Sequence, residues 1–213
     1  MQISHRKHSC KWRRRKEARP LEIIDAALDL FVANGFKATK LDDVARRAGV
    51  SKGTVYLYFD SKESLFREVV KQVIVPEVEK AEQKARAFCG SQRELLELLI
   101  LNWWEVVGKT RLAGIPKLMI SEAANFPELA EFYLDSVVSR ARNLIADGIR
   151  SGVEAGEFRD CDPALTTRLL MAPLVFAVIW EKSLAVYDKE QYDIDEYLRI
   201  HIDVFFNGLK AGQ

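Results

Sequence analysis

Lys52, Gly53, Thr54, Tyr56 and Tyr58 fall within seven consecutive residues, and no other stretch of the chain is so pointed chemically. An amine, a small hydroxyl and two phenols on rigid stems can meet phosphates and base edges, as a DNA major groove requires. Lys52 suits guanine O6/N7 or a nearby phosphate. Gly53 permits close approach to the groove wall, and Thr54 offers a hydroxyl to phosphate or a methyl to thymine. Thr39 and Lys40 upstream and Lys62 downstream stand near helix N-termini, where the dipole favours an anion. Plainer roles stay open beside these: Thr54 could only cap, and Tyr58 could only pack.

Catalytic chemistry has little to draw on. The histidines are His5, His8 and His201, and the chain holds no G-x-S-x-G elbow, P-loop, HExxH or CxxC. His5, His8 and Cys10 offer three potential metal ligands, too few to close a structural site. Cys10, Cys89 and Cys161 are odd in number and unpatterned, which suits a reducing cytoplasm better than a disulfide framework. The expectation is a protein without catalytic residues, metal or cofactor.

The elements that would present the 52–58 cluster are legible around it. Leu41, Val44, Ala45 and Ala48 recur at helical spacing and predict a short helix from about Leu41 to Ala48. Gly49 stops it, because a C-terminal cap needs a residue that tolerates left-handed backbone. Val50 returns toward the core, and Ser51 is placed to cap the next helix. That helix, Lys52 to Phe59, would turn Val55 and Phe59 inward and leave the polar and aromatic set outside. Thr39 is the predicted cap of the first.

This stretch resembles the helix-turn-helix of the TetR family of transcriptional repressors. The family's pattern is met by Thr39, Asp42, Asp43, Val44, Ala45, Ala48, Gly49, Val50, Ser51, Gly53, Thr54, Val55, Tyr56, Tyr58, Phe59, Ser61, Lys62, Glu63 and Leu65, all within residues 38–67. The resemblance implies an all-α fold of about nine helices, with a three-helix DNA-binding head joined by a long helix to a helical body that binds a small molecule and forms the dimer. It implies a phosphate contact at Tyr56 and a place near the bases for Tyr58. The domain limits expected are a basic arm over 1–19, the DNA-binding domain over 20–67 and the ligand-binding and dimerisation domain over 68–213.

Charge is distributed accordingly. Residues 1–20 hold eight basic side chains against Glu17, a balance of +7, so the other 193 residues carry −6 of the net +1. A basic arm on a mildly acidic body is expected where one end meets nucleic acid. Arg13, Arg14 and Arg15 could follow the backbone or enter a minor groove, or remain a solvated tail. No run of eighteen apolar residues predicts a membrane span, and the basic N-terminus lacks the apolar stretch of a signal peptide.

Beyond the head the pattern is helical throughout. Pro20 is placed as the first residue of helix one, whose stripe is Ile24, Ala27, Leu28 and Phe31. Helix four opens at Ser61 and runs to about Ala87, with Pro76 expected to kink it. Ser91 and Glu94 form a capping box. A short segment covers Pro116–Ala124, and a long helix starts at Pro127. A loop spans Gly152, Gly156 and Asp160–Pro163. The last two helices cover about Ala164–Val186, interrupted at Pro173, and Ile194–Leu209.

Large soft side chains line pockets for apolar ligands, which makes Phe88, Trp103, Trp104, Met119, Phe126, Met171, Phe176 and Trp180 candidates. Aromatics at helical spacing also serve as core, and Trp103 with Trp104 cannot both face one core. Leu169, Leu170, Leu174, Val178, Leu198, Ile202, Phe205 and Phe206 predict a four-helix homodimer seam from the last two helices. The function expected is a cytoplasmic regulator of double-stranded DNA, a repressor released from a palindromic operator by a small-molecule effector. The alternative is a dimeric DNA-organising protein without an effector, and activation in place of repression also stays open.

Overall fold

The computed structural model describes the backbone of residues 5–190 and 192–210, and the side chains of that range from residue 19 onward. The described chain is helical, with nine helical segments and no strand beyond one isolated bridge between Phe158 and Lys210. In order these are α1 (His5–Asn34), α2 (Leu41–Arg47), α3 (Lys52–Tyr58) and α4, which runs Lys62–Val69, passes through a π turn at Val70–Ile74 and continues as Val75–Ala87. Then come α5 (Gln92–Trp103, closing in a π turn Trp104–Gly108), α6 (Gly114–Glu122) and α7 (Pro127–Tyr133, a π turn Leu134–Val138, then Ser139–Glu154). Two further helices, α8 (Pro163–Glu181) and α9 (Ile194–Leu209), complete the series. The chain divides into two compact units, Met1–Gln72 and Val73–Gln213.

In the first unit α1 packs on α2 and α4, and α2 packs on α3. The α1 stripe of Ile24, Ala27, Leu28 and Phe31 is buried. Its centre is aromatic: Phe31, Phe36 and Phe66 meet pairwise at 5.4–5.6 Å between ring centroids. Tilted and edge-on pairs of this kind add to what burial alone contributes. Pro20 lies inside α1 and does not start it. Its fixed φ is helical, its missing N–H costs one bond, and the Arg/Lys/Glu/Ala-rich residues before it are strong helix formers. The side chains of Arg13, Arg14 and Arg15, of the basic arm generally, and of His5, His8 and Cys10 lie outside those described.

In the second unit α7 is the hub, lying against the later part of α4, α5 and α8. Leu95, Leu96, Leu99, Ile100, Trp104, Ile149, Leu170, Leu174, Leu198 and Phe206 close its core. Ser91 and Glu94 form the expected capping box at α5. Gly152, expected in a loop, is inside α7, where an added Cβ would sit 2.2 Å from the Phe158 ring. The loop begins instead at Gly156, whose φ of +72° ends the helix. The Arg140 guanidinium makes two 2.9 Å hydrogen bonds to the Glu82 carboxylate and holds that carboxyl below its ordinary range, fastening α7 to α4.

Pro173 does not interrupt α8, which continues through it to Glu181. Burying Leu170, Leu174, Ala177 and Val178 outweighs the one backbone bond a proline removes. By length and composition α8 could cross a membrane, contrary to the sequence expectation. One side of it closes the subunit core, however, and the helix carries a charged side chain, Arg168, within its apolar run. The expected kink at Pro76 takes the form of the π turn just before it. A helix that loses the N–H of Pro76 changes register, and the proline lands in the first turn of the following segment.

Candidate nucleic-acid interface and ligand cavity

The turn between α2 and α3 is built as the residue types require. Gly49 has φ +65°, and the Val50 N–H donates back to the Ala45 carbonyl at 2.9 Å, closing the helix end. Ser51 caps α3 by accepting from the Thr54 N–H at 3.2 Å. Val55 and Phe59 are buried, which fixes the rotation of α3 and leaves Lys52, Gly53 and Tyr56 exposed and Thr54 and Tyr58 half-buried. Leu57, absent from the expected surface set, is 74% exposed. Its position between Tyr56 and Tyr58 was the available signal, but an apolar residue reads by default as core.

Polar partners change several assignments. Lys52 Nζ lies 2.9 Å from Asp42 Oδ1 and 3.0 Å from Oδ2, and this hydrogen bond raises its pKa. The same amine is 5.8 Å from the Tyr56 ring centroid. Thr54 Oγ1 shares a 2.8 Å hydrogen bond with Ser51. Thr39 is a correction: it neither caps α2 nor faces outward. It is buried, and its hydroxyl donates to the carbonyls of Gly35 at 2.7 Å and Leu30 at 3.1 Å. Lys40 is the N-cap residue of α2 and is exposed. Lys62 donates to the carbonyls of Phe36 at 2.6 Å and Lys37 at 3.1 Å and lies over the Phe36 ring. Thr39 and Lys62 therefore hold the α1–α2 connection, where unpaired carbonyls would otherwise be costly.

The second unit contains a cavity of about 500 Å³ walled by the later part of α4 and by α5, α6, α7 and α8. Its walls are mostly aliphatic, and each of the three π turns contributes to them: Ile74 from the first, Val106 and Val107 from the second, Leu134, Val137 and Val138 from the third. Of the sequence candidates, Trp103, Met119 and Met171 line it. Trp104 does not: it is 3% exposed and turned into the core, because neighbouring residues on a helix point about 100° apart. Phe126 stands half-buried at the start of α7, and Phe88 packs against the core cluster. Phe176 is 60% exposed and pairs with Trp180 at 5.9 Å, away from the cavity.

Few polar groups reach the cavity. Glu77 is paired with Lys80, Asn102 accepts from Lys84, and Thr167 donates to the Pro163 carbonyl. Tyr133, Arg142 and Arg168 also line it, and none of the three has an ion pair or hydrogen bond among the described residues. Tyr133 is half-buried by surface, yet its hydroxyl lies deep enough that burial pushes its pKa up, so it stays a neutral phenol. Sequence patterning gave no sign of these three. Among the described residues, no group of three or more His, Cys, Asp or Glu is placed to hold a metal ion.

Comparison with known proteins is consistent at both ends of the chain. Residues 23–69 match the bacterial regulatory proteins of the tetR family, and residues 94–208 match the C-terminal domain of AefR-like transcriptional repressors. The chain is 32% identical to the uncharacterised HTH-type transcriptional regulator YhgD of Bacillus subtilis, over 79% of this chain and 87% of that one. It is 28% identical to the fatty acid metabolism regulator protein of the same organism, over 91% and 98%. Among solved structures, a regulator of Saccharomonospora viridis in complex with choline superposes with a TM-score of 0.77 at 23% identity, covering 93% of this chain and all of that one (100%). FadR of Bacillus subtilis in complex with stearoyl-CoA gives 0.72 at 22%, covering 89% and 98%.

Proposed function

The chain belongs to the TetR family of bacterial transcriptional regulators, and from that premise we propose that it is a homodimeric repressor released from a palindromic operator when a small molecule enters the cavity. The observation that carries this reading is the pairing, in one chain, of an exposed Lys52–Tyr56 helix face with an apolar cavity whose Tyr133, Arg142 and Arg168 have no partner within the described protein. We assign DNA contact to Lys40, Lys52, Gly53, Thr54, Tyr56 and Tyr58, add Leu57 as an apolar contact, and leave Thr39 and Lys62 as supports beneath them. The proposed domain limits are an arm over 1–19, the DNA-binding domain over 20–67 and the body over 68–213. A regulator of this kind works in the cytoplasm, where its DNA is.

Dimerisation through α8 and α9 is supported by an apolar stripe that the subunit leaves uncovered: Leu165, Leu169 and Phe176 on α8, with Ile200 and Val204 on α9. A two-fold pair would place two recognition helices on half-sites about one helical turn apart. Release follows from population shift: a ligand that prefers another setting of α4 lowers DNA affinity by its differential binding, about 1–3 kcal/mol in typical allostery. The names of relatives support a ligand-responsive reading, but proteins of this fold hold partners as different as stearoyl-CoA and choline. The lining, not the fold, must choose.

The decisive experiment is selection of bound fragments from random DNA at low and physiological salt. A palindrome with half-sites about one turn apart, surviving the higher salt, is the expected result. Recovery of no motif, with binding lost as salt rises, would overturn the reading in favour of phosphate contacts alone.

A further inference from the structure

Glu77 is the one carboxylate among the cavity-lining residues, and it is already paired with Lys80. Arg142 and Arg168 bring two guanidinium groups to the same cavity with no counter-charge among the described residues. Each guanidinium offers a planar fork of N–H donors that matches the two oxygens of a carboxylate or phosphate. Arg168 is exposed and Arg142 half-buried, which sets the positive charge toward the outer part of the cavity. Apart from Asn102, Thr167 and Tyr133 the remaining lining is apolar, with Trp103, Met119 and Met171 among its large members. Tyr133 adds a neutral hydroxyl that can donate without bringing a competing charge.

We propose that the cavity takes an amphipathic anion, its apolar body along the aliphatic walls and its carboxylate or phosphate end held by Arg142 and Arg168. The inference rests on the ligand-responsive reading above and specifies the chemical class of that ligand. A quaternary ammonium or other cation is the wrong partner. It would face two like charges and find a single carboxylate that already has an amine on it. A neutral apolar compound would fill the volume and leave both guanidinium groups unused.

Trp103 lines the cavity and provides an intrinsic fluorescence probe. The full-length protein is titrated with hexadecanoate, hexadecanoyl-coenzyme A and cholanate as anions, hexadecanol as the neutral analogue and hexadecyltrimethylammonium as the cation, each below its micelle concentration. At least one anion should bind about tenfold or more tightly than the neutral and cationic probes. Which anion does so separates a free carboxylate from a phosphorylated thioester. Arg142→Gln and Arg168→Gln should each weaken that anion about tenfold while leaving hexadecanol unchanged. Arg142→Lys should restore part of the loss, and an unaltered thermal midpoint shows that the variants fold. The proposal is overturned if no anion binds, if the cation or alcohol binds as well, or if both glutamine variants bind the anion like the parent. Operator release is read separately by gel shift. Anion binding without release sinks the repressor–effector reading and leaves the ligand class standing, whereas release by a non-anionic compound, with no anion bound, does the reverse.

Discussion

Asp42 is the residue whose role changes most once its neighbours are known. Its carboxylate occupies the amine of Lys52, the side chain best placed to meet guanine or phosphate. If that amine meets a phosphate, binding must exchange one anion for another, and the pair lowers the affinity of any such contact. An exposed pair of this kind is worth little to folding, and its effect should appear in binding. Asp42→Asn is expected to raise affinity for random DNA several-fold and steepen its salt dependence by about one unit of log–log slope, measured by fluorescence anisotropy across a salt series. An unchanged slope would mean that Lys52 reaches no phosphate even when released. Tyr56 is exposed beside that amine. Tyr56→Ala should weaken operator binding by about 1–3 kcal/mol while sedimentation still reports the parent's oligomeric state. Normal operator affinity in this variant would move the recognition surface elsewhere.

Among the helices, the departures from regular geometry matter most. All three π turns of the described chain contribute residues to the cavity. A π turn carries one more residue than the α register needs, which shifts the side chains after it and opens space beside the helix. The second is seated by Gly108, where a Cβ would lie 2.3 Å from the Trp104 ring, so the indole that closes the core and the turn that walls the cavity depend on one missing methyl group. Gly152 does the same for Phe158, which in turn meets Phe206 at 6.1 Å. Gly152→Ala should therefore destabilise the protein by about 1–3 kcal/mol, despite alanine's higher helix propensity. Thermal unfolding should show a midpoint lower by about 2–4 °C per kcal/mol. A variant as stable as the parent would show that Phe158 can move aside.

For the whole molecule, α8 and α9 carry apolar residues on two faces, one buried and one exposed. Leu170, Leu174, Val178, Leu198, Ile202 and Phe206, expected at a dimer seam, are buried in the subunit's own core. Leu165, Leu169, Phe176, Ile200 and Val204 remain outside. His201 joins the two helices through Nε2, 2.9 Å from the Leu170 carbonyl oxygen. The outward stripe suits a second copy of the chain, and Leu169, 68% exposed, is where to test it. Leu169→Glu should yield a monomer by sedimentation velocity, with helical content retained and operator affinity lost, because a single head makes too few contacts. A variant that still sediments as a dimer would place the seam elsewhere.

The turn at Gly49, the cap at Ser51, the capping box at Ser91 and the start of α9 at Ile194 could all be read from the chain, because each is decided within four or five residues. A glycine able to adopt positive φ, a hydroxyl three residues before an orphan N–H and a 3.6-residue stripe carry their own physics. Long-range partnership could not be read that way. The engagement of Thr39 depends on the Leu30 carbonyl nine residues away, that of Lys62 on a carbonyl 26 residues away, and the masking of Lys52 on Asp42. The division between Trp103 on the cavity and Trp104 in the core is a matter of helix rotation, set by everything packed around α5. The cavity is the clearest case. Five successive helices surround it, with lining residues from Ile74 to Val175, and Tyr133, Arg142 and Arg168 come together only because packing leaves the same space beside all three.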